Sequence, residues 1–360
     1  MNQPAGLAPP DPAPSTAQRM AELRRWLFRL KSSSYDVSNE CNLTCEGCLY
    51  FARPAGQRRE KGTDAAAWDR LFAQEAARGI NFVYLAGAEP SLALPSVRAA
   101  ARHIPRGVVF TNGTRKIPRD IPYRLHISLW GLGEHSAELR GADVTAKALR
   151  NYRDDPRVVF VFTVTAENIH EIHPAAGLCR DHGVVLTYNY FSPTLEYGRY
   201  LDGQAGQDNQ YFRLRDQGPT LRHDNASFAR ARAEIARAQA EFPKTVRYSM
   251  HYNDWITQPL SSLMTFDAEG IAVDCGNRLT DWHRHYEADA TTSSEKCCSP
   301  NVDCRECRGY AMGLATYFKS FLRFRNDPGE LANWLDGLAI WADLFLPRDG
   351  DRPAILGARA

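Results

Sequence analysis

The 360-residue chain has no apolar run approaching the length of a membrane span, and its amino terminus has no signal-peptide core. Neither a membrane span nor export is expected on these grounds, and the expected location is the cytoplasm. Excess charge is also missing. At +2 the net charge gives no bulk attraction to nucleic acid or to a membrane surface. What is present is a 44% hydrophobic, 24% charged chain that can bury a full core. Nine cysteines in a reducing compartment do not read as disulfide staples. Eight of them fall in two groups, at 41–48 and 275–307, which points to metal or cluster ligation. Cys179, alone in a helical pattern, reads as a small buried apolar residue.

The first group is Cys41-Asn42-Leu43-Thr44-Cys45-Glu46-Gly47-Cys48. It follows 34–38, a short alternation around Tyr35 and Val37 that reads as a strand. Three thiols at gaps of three and two suit an iron-sulfur cluster, and three thiolates leave one iron of a cubane without a protein ligand. A structural zinc site would need a fourth ligand, and no histidine lies near. This loop resembles the C-x-x-x-C-x-x-C loop of the radical S-adenosylmethionine (SAM) superfamily. That resemblance implies a [4Fe-4S] cluster on Cys41, Cys45 and Cys48, whose open iron takes the amino and carboxylate groups of S-adenosylmethionine (AdoMet). The family usually has an aromatic residue before the third cysteine, where this chain has Gly47.

Downstream, strand and helix patterns alternate. Asp64 caps a helix carrying Trp68, Leu71, Phe72 and Ala76, closed by Gly79. Strands are expected at 82–85, 108–111, 125–130, 158–165 and 184–191, with helices at 94–104, 136–153 and 170–182. Six strands with intervening helices imply an α/β fold with a parallel sheet and right-handed crossovers. The resemblance implies its closure into a partial (β/α)6 TIM-like barrel, with ligands at the carboxyl ends of the strands. There the chain reads Ala86-Gly87-Ala88-Glu89-Pro90, similar to the family's G-G-E-P segment, so Gly87 and Glu89 inherit the AdoMet ammonium. Thr111-Asn112-Gly113 resembles the family's T-N-G turn, and reads equally as a turn capped by Asn. By the same resemblance Ser128, Thr165 and Asn168 fall at cofactor-facing positions. Tyr188 and Tyr190, at the end of the sixth strand, are the candidate catalytic residues. They share one face, which would turn Asn189 toward the helices.

The remaining segments divide as a disordered leader (1–17), the barrel (18–195, beginning with an amphipathic helix at 18–31), a loop and helical connection (196–262), a cysteine-rich unit (263–310) and carboxyl-terminal helices (311–360). The 195–220 stretch is too long for a simple connection and reads as a lid or a disordered excursion. A hairpin over 264–275 ends in Cys275, followed by Cys297, Cys298, Cys304 and Cys307. This resembles the twitch/SPASM extension of some family members. That resemblance implies an auxiliary [4Fe-4S] cluster on Cys275, Cys298, Cys304 and Cys307, with Cys297 as the alternative to Cys298. A zinc knuckle is the competing reading, and iron against zinc content would separate the two. The stripe Leu331, Trp334, Leu338, Trp341 and Phe345 reads as packing on the barrel or as a homodimer face.

The resemblance implies an enzyme reduced by flavodoxin or ferredoxin. It would cleave AdoMet to a 5′-deoxyadenosyl radical that abstracts hydrogen from, or adds to, a small-molecule substrate in specialised-metabolite biosynthesis. Only forty residues precede the first cysteine loop, which on the same comparison disfavours a peptide-modifying maturase with its own leader-recognition domain. A non-catalytic iron-sulfur electron carrier or sensor is the reading from another class, set against the retained Glu89.

Overall fold

A computed structural model describes residues 15–27, 29–51, 64–203, 214–215, 220–292 and 302–346. Cys297 and Cys298 lie outside this set, as does most of the expected leader. In chain order the elements are α1 (Thr16–Leu27), β1 (Ser32–Asp36), α2 (Ala65–Ala77), β2 (Phe82–Ala86), α3 (Leu94–His103), β3 (Gly107–Thr111), β4 (Arg124–Leu129), α4 (Gly133–Arg140), α5 (Thr145–Tyr152), β5 (Val158–Val164), α6 (Ile172–Asp181) and β6 (Leu186–Tyr190). They are followed by α7 (Leu195–Leu201), α8 (Asn225–Glu241), α9 (Met250–Ile256), β7 (His285–Tyr286), α10 (Tyr310–Lys319), α11 (Phe321–Phe324) and α12 (Pro328–Phe345).

The strands form one all-parallel sheet in the order β6-β5-β4-β3-β2-β1-β7. The first six run in sequence order, each strand beside the next in the chain. Their outward side chains (Tyr35, Leu85, Val109, Ile127, Phe162) are fully buried under helices. Helix α2 shows how local sequence sets this packing. The Asp64 carboxylate accepts from Ala67 N at 2.8 Å, Gly79 turns the chain out at φ +87°, and Trp68 and Phe72 close on Tyr35. Truncating a fully buried Trp such as Trp68 costs about 3–5 kcal/mol.

The expected helix over 136–153 is two helices. Gly141 adopts φ +79° and ends α4, and a Cβ there would lie 2.2 Å from Thr44 Oγ1. The break is where the cysteine loop docks. The 264–275 hairpin reduces to a single antiparallel bridge between Phe266 and Ala272.

β7 has no counterpart among the expected strands. It joins β1 in the register Ser34↔His285 and Tyr35↔Tyr286. Its position is fixed from outside. Tyr35 and Tyr286 stack at 5.2 Å, and both hydroxyls donate to Glu75 at 2.8 Å. Arg78 donates to the same carboxylate and to the Trp282 carbonyl. Burial and the adjacent Glu75 carboxylate push the Tyr35 hydroxyl far above its ordinary value, so it serves as a donor.

At the opposite end of the strands, the last turn of α12 plugs the barrel. Phe345 packs against Tyr84, His126 and Tyr310, and Arg124 and His126 bond the Leu344 carbonyl. Trp334, Leu338, Trp341 and Phe345 are buried within the chain, so this stripe is spent internally.

Candidate active site

The cysteine loop leaves β1 at Asp36 and stays registered with β2, through Val37 N to Ala86 O and Ala88 N to Ser38 O. It is then pinned on α4 by Thr44 N to Arg140 O (3.2 Å) and Glu46 N to Leu139 O (2.8 Å). Cys41, Cys45 and Cys48 thereby line one cavity of about 250 Å³ together with Gly87, Glu89 and Thr111. Gly87 has φ +101°, and a Cβ there would sit 2.5 Å from the Ser38 carbonyl, so only glycine lets the two loops approach. Gly47 has φ +60°, and its missing Cβ would lie 2.9 Å from Phe191 Cζ. Phe191, from the end of β6, fills the space beside the third cysteine.

Glu89 is almost fully buried. Its Oε1 accepts from Ser91 N (2.9 Å) and Thr111 Oγ1 (2.5 Å), and its Oε2 from Asn112 N (2.8 Å). A carboxylate offers about four acceptor sites, so these three bonds leave one for an incoming donor. The Asn112 amide donates to Asn42 Oδ1 (2.9 Å) and reaches Cys41 Sγ at 3.8 Å, while its oxygen accepts twice from Thr114. Asn42 closes this ring on Thr114. Arg140 also lines the cavity. It is buried, one nitrogen donates to the Ser128 carbonyl at 2.6 Å, and its Nε has no partner.

The donor set fits a cluster. Burial pushes the Cys41 thiol up to about 11 and the Cys48 thiol up to about 12, so holding thiolates here requires compensating positive charge, which iron supplies. Among the described residues, the groups of three or more ligand-type residues whose donor atoms all lie within 4.8 Å of one another contain no cysteine. Tetrahedral zinc at a Zn–S length of about 2.3 Å would draw its thiolates to roughly 3.8 Å. A cubane, with each thiolate on a different iron, holds them further apart. The groups that do close, His135 with His170 and Glu171 and His135 with Glu138 and Glu167, belong to an ion-pair network. His135 bonds Glu171 (2.7 Å) and Glu167 (3.2 Å), and Glu167 is also held by Arg215.

A second lobe of about 330 Å³ opens from the first, and the two share Asp36, Gly87, Phe110, Ser128, Trp130 and His285. Ser128 sits at this junction and accepts from Trp130 Nε1 at 3.0 Å. Several sequence-based assignments fall elsewhere. Thr165 and Asn168 are fully buried and bond each other's backbone, and the Asn168 amide donates to the Trp130 and Thr163 carbonyls. Their polar atoms are used in building the turn after β5, so they do not line either lobe. The parity of β6 is the reverse of the expectation. Thr163 and Asn189 pair across β5 and β6 and face the second lobe, whereas Tyr188 packs outward on Phe162 and Tyr248. Tyr190 borders the lobe, but its hydroxyl is committed to Asn253 Oδ1 at 2.8 Å. Asp36, Arg140 and His285 are site residues that sequence reasoning missed. The first two follow no motif, and His285 lies in a two-residue strand with no periodicity to read.

Of the second cysteine group, Cys275 and Cys307 are buried and Cys304 is partly so. Thr316 Oγ1 approaches Cys275 Sγ at 3.8 Å, and Cys307 lines the second lobe. The 302–310 segment reaches the lobe through a Thr194–Val302 bridge and a bond from Arg308 N to Ser192 Oγ (2.8 Å).

No family model matches the chain, and no curated protein sequence does. Solved structures do. Streptococcus suis SuiB bound to S-adenosylmethionine aligns at 14% identity with a TM-score of 0.50, over 78% of this chain and 64% of that one, so the chain spans just under two thirds of SuiB's length. The protein anSMEcpe with bound AdoMet aligns at 13% identity with a TM-score of 0.51, over 87% of this chain and 84% of that one. At these identities the likeness is one of fold: the chain's parallel α/β sheet with flanking helices is the fold of these two AdoMet-bound structures.

Proposed function

We propose that the chain is a radical SAM enzyme that cleaves AdoMet to a 5′-deoxyadenosyl radical and directs it at a small molecule in specialised-metabolite biosynthesis. The observation that carries this reading is the convergence of Cys41, Cys45 and Cys48 on one cavity with Gly87, Glu89 and Thr111. The cluster, when bound, supplies the electron for AdoMet cleavage. The chain's own residues do the rest. Glu89 offers its remaining acceptor site to the AdoMet ammonium, and Thr111 and Asn112 hold that carboxylate in place. Arg140, with its unpartnered Nε, faces the AdoMet carboxylate. Asn112 donates toward the Cys41 sulfur and steadies it. Phe51, Leu139, Phe191 and Tyr197 pack as an apolar cap against Cys41, Cys48 and Trp130, which keeps water from a radical intermediate.

The second lobe is of a size for a small molecule rather than a folded partner. The reading extends to flavodoxin or ferredoxin as electron donor, a cytoplasmic location, and an auxiliary cluster on Cys275, Cys304 and Cys307 with Cys298 or Cys297. Cys307, at the wall of the lobe, supports that last element. Anaerobically reconstituted, dithionite-reduced protein given AdoMet is expected to form 5′-deoxyadenosine, and Cys45→Ala to abolish it. No product from the wild type, or undiminished product from the variant, overturns the reading.

A further inference from the structure

The residues of the second lobe describe what it recognises. Its inward positions alternate along each strand, with Ser34 and Asp36 on β1, Ser128 on β4, Thr163 on β5, Asn189 on β6 and His285 on β7. Among the described lining residues Asp36 is the only carboxylate, and there is no lysine or arginine. A phosphate or carboxylate placed there would meet the Asp36 carboxylate and neither lysine nor arginine. A protonated amine would meet its complement.

Three further observations support this. The first concerns how the pair is held. Tyr286 is locked outward by Glu75 and by its stack on Tyr35, so its neighbour His285 faces inward. His285 is 2% exposed, and its Nε2 lies 3.3 Å from Asp36 Oδ2, close enough to pair but not aligned as a hydrogen bond. The second is unspent hydrogen-bonding capacity. Neither ring nitrogen of His285 has a hydrogen-bond partner, and Asn189 Oδ1, across the lobe, is also a buried acceptor without one. Groups left this way in a folded interior are costly unless a ligand completes them. The third is the wall. Trp130, Phe110 and Phe191 present ring surface to the lobe, which favours a cation and disfavours an anion.

We propose that Asp36 and His285 form a substrate-recognition pair that binds a protonated amine, so that the substrate is an amine-bearing small molecule. The ammonium donates to the Asp36 carboxylate and to a ring nitrogen of His285, and Asn189 takes a further donor of the same molecule. The pair stands at the junction of the two lobes. Anchoring the amine there presents the neighbouring carbon to the AdoMet lobe. Asp36 and His285 are thus positioning and specificity residues, and no covalent step is assigned to them.

The inference rests on the radical SAM reading, and its test is a binding measurement that separates the two. Cyclohexylamine and cyclohexanol, an isosteric pair differing in charge at neutral pH, are titrated calorimetrically into reconstituted, AdoMet-loaded protein. The wild type is expected to bind the amine at least tenfold more tightly than the alcohol. Asp36→Asn is expected to remove that preference, and His285→Phe to weaken amine binding. Equal affinity for the two probes, no binding of either, or a preference that survives Asp36→Asn overturns the proposal. So does a loss of AdoMet affinity in Asp36→Asn as large as the loss of amine affinity, which would place Asp36 in the AdoMet subsite. Failure of the wild type to form 5′-deoxyadenosine would count against the enzyme reading alone.

Discussion

Gly87 and Glu89 carry the residue-scale account. An Ala at 87 keeps a left-handed φ of +101° that L-residues resist and drives its Cβ toward the Ser38 carbonyl. Gly87→Ala is expected to cost about 1–3 kcal/mol and to impair AdoMet binding, read by thermal melting and calorimetry; an unchanged melt contradicts it. Glu89→Gln would set an amide NH2 against donors from Ser91, Thr111 or Asn112 and remove the charge offered to the ammonium. AdoMet should bind at least tenfold more weakly, and an unaltered dissociation constant would refute the assignment. The sequence singled both out because they sit in a short segment at a fixed place after the cysteine loop, and the structure puts both on the cavity wall. Arg140 and Asp36 were not singled out, because a lone arginine in a helix or aspartate at a strand end carries no signal until the fold brings it to a cavity. Asn168 misled for the opposite reason, since a polar residue at a strand's carboxyl end reads the same whether it meets a ligand or ties a turn.

Among the elements, the described parts of the 195–220 stretch are tied to the cysteine loop. The first part of the stretch forms α7, and Tyr197 donates to Glu46 at 2.6 Å. Arg215 bridges Glu46, inside the cysteine loop, to Glu167, after β5. Arg215 holds Glu167 well below the usual carboxylate range despite burial, and is itself held charged. Arg215→Ala would leave the nearly buried Glu46 without its cation. The partial exposure of Arg215 limits the expected cost to about 2 kcal/mol. Faster hydrogen exchange over 44–51 and 195–201 is the predicted readout, and unchanged exchange would show that the bridge does not hold these two segments. The sequence announced an excursion by its length, but pairing across 169 residues between Glu46 and Arg215 has no local pattern. The α4/α5 break was likewise hidden, because Gly141 inside a helical period reads as tolerated until Thr44 is seen against it.

For the whole molecule, the alternation of β-branched strands and capped helices made the parallel sheet readable, because each β-α unit is locally encoded. β7 and the α12 plug were not readable. Two residues cannot show a period, and an amphipathic stripe does not name what it packs on. The same tertiary burial makes stability depend on pH. Burial lowers His126 to about 3, and His223 and His283 to about 4. In the unfolded chain these imidazoles take protons below about 6.5. Between those values the unfolded state binds more protons, so stability falls as pH falls. At pH 5 the loss is on the order of 2 kcal/mol for each histidine relative to pH 7. The melting temperature should therefore drop between pH 7 and pH 5, and a flat profile would contradict the burial of these rings.

Cys41, Cys45 and Cys48 holding a cluster that meets AdoMet beside Glu89 is the core of the proposed function. Electron paramagnetic resonance of the reduced, reconstituted protein with and without AdoMet is its sharpest test. A [4Fe-4S]+ signal is expected whose g-values shift on adding AdoMet, with the shift weakened in Glu89→Gln and the signal lost from this site in Cys45→Ala. A wild-type spectrum indifferent to AdoMet, or a first-site signal that persists in Cys45→Ala, would contradict it.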